Sequence, residues 1–129
     1  MNYRVWLLCV LLALPGRAVA AQCSVLILGD SLSSGYGLAN GAGWVDRLDA
    51  RLQKQAPGWR AVNASVAGDT TQNGLQRLKP ALDRHRPQGV VIELGGNDAL
   101  RGAPPAAIRE NLRMLIPQAK AAGAWVGLV

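Results

Sequence analysis

A serine hydroxyl attacks a carbonyl effectively only where N–H groups await the developing oxyanion and a base accepts its proton. Ser31 stands in the run Gly29-Asp30-Ser31-Leu32-Ser33-Ser34-Gly35, directly after an apolar stretch at residues 24–28. A serine on the turn leaving a buried strand presents its Oγ and its own N–H at the sheet edge, where α/β proteins bind ligands. Gly68, in Gly68-Asp69-Thr70, and Asn97, in Gly95-Gly96-Asn97-Asp98, follow two further apolar runs in the same way. The N–H groups of Ser31 and Gly68 and the side-chain amide of Asn97 are therefore candidate oxyanion donors. Removing one such donor costs about 2.7–4 kcal/mol of transition-state stabilisation. Glycine at 68 also lets a substrate oxygen reach the backbone without meeting a Cβ. Taken singly, each string is ordinary turn chemistry, and Ser31 by itself fits a helix N-cap. Their joint delivery to one edge is what favours a nucleophile.

That delivery depends on the surrounding elements. Residues 24–28, 61–66, 89–94 and 124–129 are predicted strands, with the continuous apolar character of strands buried on both faces. Between them, Trp44, Val45, Leu48 and Leu52 form one helical stripe, and Leu75, Leu78 and Leu82 a second. Ile108, Leu112, Leu115, Ile116 and Ala119 form a third, opened by Pro104-Pro105 and stopped at Gly123. Pro80 and Pro117 are expected to kink their helices. The alternation predicts a parallel sheet with right-handed crossovers, a flavodoxin-like three-layer α/β/α sandwich, incomplete at four strands and three main helices. In that geometry the loops after the first three strands converge on one edge.

Composition sets the remaining bounds. The chain has 129 residues, 50% of them apolar and 17% charged, which fits one small globular domain. Residues 1–20 read as a secretory signal peptide, with Arg4, ten apolar residues at 5–14, a Pro15-Gly16 break and Ala18-Val19-Ala20 as the cleavage site. A bilayer span needs about 20 apolar residues, so no stable membrane anchor is expected, and the location implied is periplasmic or secreted. Removal of the leader takes Arg4, Arg17 and no acid, lowering the net charge from +6 to +4. It also takes Cys9 and leaves Cys23 unpaired, while Gln22 before it argues against lipid attachment. The basic residues, among them Arg47, Arg51, Arg77, Arg84 and Lys120, are spread as on solvated helix faces and predict no nucleic-acid partner. No metal or cofactor is expected. Neither a Gly-x-x-x-x-Gly-Lys loop nor a Gly-x-Gly-x-x-Gly fingerprint occurs.

In their order and spacing, Gly29-Asp30-Ser31-Leu32, Gly68-Asp69-Thr70 and Gly95-Gly96-Asn97-Asp98 resemble the first three sequence blocks of the SGNH, or GDSL, serine hydrolases. The likeness is nearest to bacterial periplasmic arylesterases, acyl-CoA thioesterases and lysophospholipases, and runs from Val25 onward, with Asn63-Ala64-Ser65 and Leu100-Arg101-Gly102 included. It implies Ser31 as nucleophile, Gly68 and Asn97 as partners of the Ser31 N–H in the oxyanion hole, and a small ester, thioester or lysophospholipid as substrate. It also implies a last block with Asp and His three residues apart, which the 129 residues do not contain. Residues 21–129 are thus expected to be the N-terminal part of such a hydrolase, with at most residual activity alone.

The one histidine, His85, precedes the third strand. It is expected about 17 Å from Ser31, one strand length away, as a solvated residue at a helix C-terminus. Two other readings stay open: a non-catalytic remnant, and a flavodoxin-like ligand- or phosphate-binding module. Asp30 and Asp98 fit turn caps or electrostatic tuning equally, and Glu93 in an apolar strand requires a partner. Ser33 and Ser34 are expected to bond locally. The glycosylation sequon Asn63-Ala64-Ser65 is expected within a buried strand, and Trp44 and Trp59 in packing roles.

Overall fold

The structure is a computed structural model describing residues 22–129, so the predicted signal peptide lies outside the described residues. The apolar runs form β1 (Cys23–Gly29), β2 (Trp59–Asn63), β3 (Gly89–Glu93) and β4 (Trp125–Leu128). The helices are α1 (Ser31–Ser34), α2 (Trp44–Gln55), α3 (Thr71–His85), α4 (Gly96–Leu100) and α5 (Pro105–Ala121). All strand pairings are parallel, in the order β2-β1-β3-β4. The predicted α/β sandwich is the observed fold, with α2, α3 and α5 as its long helices.

Alternate residues of the central strands feed opposite faces, as the two-residue period of a strand requires. Leu26, Leu28, Val90 and Ile92 pack with Leu78 and Leu82 of α3 and with Leu115 and Ala119 of α5. Val25 and Ile27 pack on the other face against Val45 and Leu48 of α2. Burial on both faces holds for β1 and, less fully, β3, whereas β2 and β4 are edge strands and half-exposed. The helices α3 and α5 each continue through Pro80 and Pro117.

The second strand starts and ends earlier than its apolar pattern suggests. Trp59 and Arg60 pair with Cys23 and Ser24, because Trp59 joins the α2 face and the Arg60 charge is satisfied at the sheet edge. Beyond Asn63, Ala64 and Val66 still donate to the Ile27 and Gly29 carbonyls, at 2.8 and 3.0 Å, so the chain stays beside β1 without forming regular strand. The sequon therefore begins at an exposed strand end rather than in a buried strand.

Asp49 of α2 clamps this edge. It accepts from Arg60 Nε at 2.8 Å, from Arg60 Nη2 at 2.9 Å and from the Ala61 N–H at 2.8 Å. The Arg60 guanidinium holds the Asp49 carboxyl below its ordinary value of 3.8, and Asp49 in turn raises Arg60. A carboxylate depressed on folding stabilises above its unfolded value and loses that contribution as pH falls through its folded value. Asp49→Asn should therefore unfold at a slightly lower urea midpoint at neutral pH, a small effect because solvent screens this edge pair, Arg60 being 43% exposed. It should also lose less stability than the parent as pH drops below 3.8. Urea midpoints at the two pH values measure both effects, and parallel pH curves would contradict them.

Candidate functional site

The site is built on loops leaving β1, β2 and β3 at their carboxyl ends. Asp30, 3% exposed, caps α1, its Oδ1 accepting from the Leu32 N–H at 3.0 Å. Its carbonyl accepts from Ser33 and Ser34. Because Asp30 is the cap, Ser31 is the first helical residue, half-buried and uncommitted to capping. The N-cap reading of Ser31 is thereby replaced by Asp30.

Asn97, in the first turn of α4, ties the three loops together. Its Nδ2 donates to Asp30 Oδ2 at 3.1 Å and to the Asp69 carbonyl at 2.9 Å. A side-chain amide carries two N–H donors, and both are engaged here. Gly68, beside Asp69, holds φ at +86°, a left-handed setting that glycine adopts freely. A Cβ there would meet only Arg101, at 3.8 Å, so conformation rather than crowding explains this glycine. Arg101 Nη2 donates to the Gly68 carbonyl at 2.9 Å. Thus the loops of Ser31, Gly68 and Asn97 meet at one edge.

A second layer fixes these loops. Asp98, 5% exposed, accepts from both the Thr71 N–H and the Thr71 hydroxyl, and Asn111 Nδ2 donates to that hydroxyl at 2.8 Å. Asp98, from α4, thus satisfies the N–H of the first residue of α3, whose own N-cap is Thr70. The Arg77 guanidinium bonds the Asp69 carboxylate and the Ala64 carbonyl, so Arg77 is half-buried in the site's support and not on a solvated face.

Several expectations need correction. Ser34 Oγ accepts locally, from Tyr36 N–H at 3.3 Å, but Ser33 Oγ donates to Glu93 Oε2 at 2.8 Å, sixty positions away. Ser33 is the partner that Glu93 requires. Trp44, 40% exposed, donates its indole N–H to Ser33 Oγ at 3.2 Å, whereas Trp59 packs against the α2 face as expected. His85 ends α3, before β3 begins, at the sheet edge opposite Ser31, and is half-buried rather than fully solvated. No cluster of three or more His, Cys, Asp or Glu with metal-binding placement occurs among the described residues. No described helix is long and apolar enough to cross a membrane. A surface groove of about 380 Å³ between α3 and α5, lined by Lys79, Leu82 and Gln118, is remote from Ser31.

Residues 27–129 match the GDSL-like Lipase/Acylhydrolase family, and the chain belongs to that family. It is 46% identical over 121 residues to Esterase TesA of Pseudomonas aeruginosa, covering 94% of this chain and 60% of that protein. It is 46% identical over 114 residues to Thioesterase 1/protease 1/lysophospholipase L1 of Escherichia coli K12, covering 88% of this chain and 53% of that one. The crystal structure of TesA superposes with a TM-score of 0.78 at 47% identity, covering 81% of this chain and 58% of its own. The psychrotrophic esterase EstA from Pseudoalteromonas sp., inhibited by monoethylphosphonate, superposes at 0.77 and 40% identity, covering 81% and 57%. The chain therefore spans little more than half the length of these relatives.

Asp30→Ala removes the α1 cap and leaves one Asn97 N–H without its acceptor. It should lower stability by about 1–3 kcal/mol, and Asp30→Asn, which keeps an oxygen for Leu32, should recover part of the loss. Urea denaturation measures this, and an unchanged midpoint in Asp30→Ala would contradict the linkage described.

Proposed function

We propose that the chain carries the nucleophile and oxyanion hole of a serine ester hydrolase. In this reading Ser31 Oγ attacks the carbonyl carbon of a small carboxylic ester, thioester or lysophospholipid. The new Oγ–C bond forms, the proton passes from Oγ to a base and on to the departing alcohol or thiol, and water then hydrolyses the acyl-enzyme. The Ser31 and Gly68 N–H groups and Asn97 Nδ2 stabilise the oxyanion. Asn97 serves this role by exchanging its longer bond, 3.1 Å to Asp30, for one to the substrate oxygen.

The observation that supports the reading is the bridging of Asp30 and the Asp69 carbonyl by Asn97, an amide donor bonded to the cap residue that precedes Ser31 in sequence. The relatives named esterase and thioesterase support the reaction class. No imidazole lies beside Ser31, since His85 is the one histidine of the chain. We assign the base to an Asp-x-x-His segment of the kind the family resemblance implies. The leader pattern at residues 1–20 supports a periplasmic or secreted location.

A Ser–His pair works as a unit, and losing either member of one costs about 10⁶ in turnover in a well-studied protease. The 129-residue chain should therefore hydrolyse a short aryl ester at a residual rate at most. A chimera joining it to the remaining C-terminal segment of the Pseudomonas relative should turn the ester over, and Ser31→Ala in that chimera should abolish turnover. An inactive, folded chimera, or a Ser31→Ala chimera that retains activity, would contradict the proposal. Tight phosphate binding by the unextended chain would instead favour the phosphate-binding module.

A further inference from the structure

Ser33 is 1% exposed and is held by three elements. Its hydroxyl donates to Glu93 Oε2 of β3 at 2.8 Å and accepts from Trp44 Nε1 of α2 at 3.2 Å. Its carbonyl accepts from Asn63 Nδ2 of β2 at 2.8 Å. The end of β1 leaves space for it: a Cβ on Gly29 would fall 2.8 Å from Ser33 Cβ, 2.9 Å from Ser33 Oγ and 3.0 Å from Glu93 Oε2. Successive helical residues are rotated by about 100°, so positions two apart lie on nearly opposite sides of the turn. With Ser33 anchored against the sheet, Ser31 must face outward.

We propose that Ser33, acting through Glu93, Trp44 and Asn63, is a positioning residue that fixes the rotation of α1 and with it the direction of the Ser31 N–H and Oγ. The four-residue α1 has too few internal bonds to hold its own orientation. A hydroxyl donating to a carboxylate makes a charge-assisted bond stronger than a neutral one, and within the sheet it has one direction. The same carboxylate is thereby satisfied in an otherwise apolar strand. The functional consequence rests on the hydrolase reading above, whereas the positioning itself does not.

The test is hydrogen exchange on the 129-residue chain, read at the Ser34 amide, which donates to the Asp30 carbonyl at 2.9 Å. In Ser33→Ala this amide should exchange about tenfold faster, with the buried Leu26 and Val90 amides within about twofold of the parent. The Trp44 indole N–H resonance should shift, and Glu93→Gln, which retains a neutral carbonyl acceptor, should exchange at a rate between the parent and Ser33→Ala. If Ser33→Ala fails to fold, Trp44→Phe carries the same readout, with about a threefold increase expected. Unchanged Ser34 exchange, or equal acceleration of Leu26 and Val90, would overturn the proposal. In the chimera, fluorophosphonate labelling of Ser31 should slow about tenfold in Ser33→Ala without loss of fold. Labelling at the parental rate would also overturn it. A parent chimera that does not label at all counts against the hydrolase reading and leaves the exchange result to decide the positioning.

Discussion

The side-chain amide of Asn97 is the contact on which the arrangement at the sheet edge depends. A parallel sheet brings three loops to one side but does not bind them to each other. The two N–H groups of Asn97 do so, one reaching the Asp30 carboxylate and the other the Asp69 carbonyl. Asp30 can accept there because it is already fixed as the α1 cap, so capping and loop pairing share one carboxylate. Asp98, Thr71 and Asn111 brace α4 against α3 and α5, and Arg77 braces the loop after β2. Among the described residues no buried side-chain nitrogen or oxygen is left without a partner, as a rigid polar network in a low-dielectric setting requires.

Topology explains why this edge and not another. The chain leaves β1 for β2 on one side and returns through α3 to β3 on the other, so strand order reverses at β1. Open α/β sheets bind ligands in the crevice outside the carboxyl ends of the strands at such a reversal. The register places Gly29 opposite Glu93, which sets Asp30 and Ser31 beside the loop carrying Asn97. Gly29 and Glu93 also meet Ser33 from beneath. One strand pairing thus sets both where α1 begins and the Ser33–Glu93 contact beneath it.

Much of this was legible in the sequence, for identifiable reasons. Continuous apolar runs bounded by turn residues marked β1 and β3, because strands covered on both faces leave no room for alternation. Right-handed crossovers then required the strings around Ser31, Gly68 and Asn97 to share an edge. What escaped were bonds between distant residues. Nothing local in Ser33 distinguishes a hydroxyl bonded to its own turn from one bonded to Glu93, and the isolated carboxylate in β3 was the only signal that such a partner existed. Arg77 looked like any helical arginine, since its acceptors lie on another segment. The limits of β2 were missed because Arg60 joins an edge strand only with Asp49 to receive its charge.

A double-mutant cycle between positions 30 and 97 tests the central claim most directly. Asp30→Ala, Asn97→Ala and the double substitution would be unfolded in urea and their stabilities compared with the parent. The account predicts a coupling energy of about 1–2 kcal/mol, within the range of residues in direct contact. Additive losses, with coupling below about 0.3 kcal/mol, would show that the Asn97 amide does not hold the loops together.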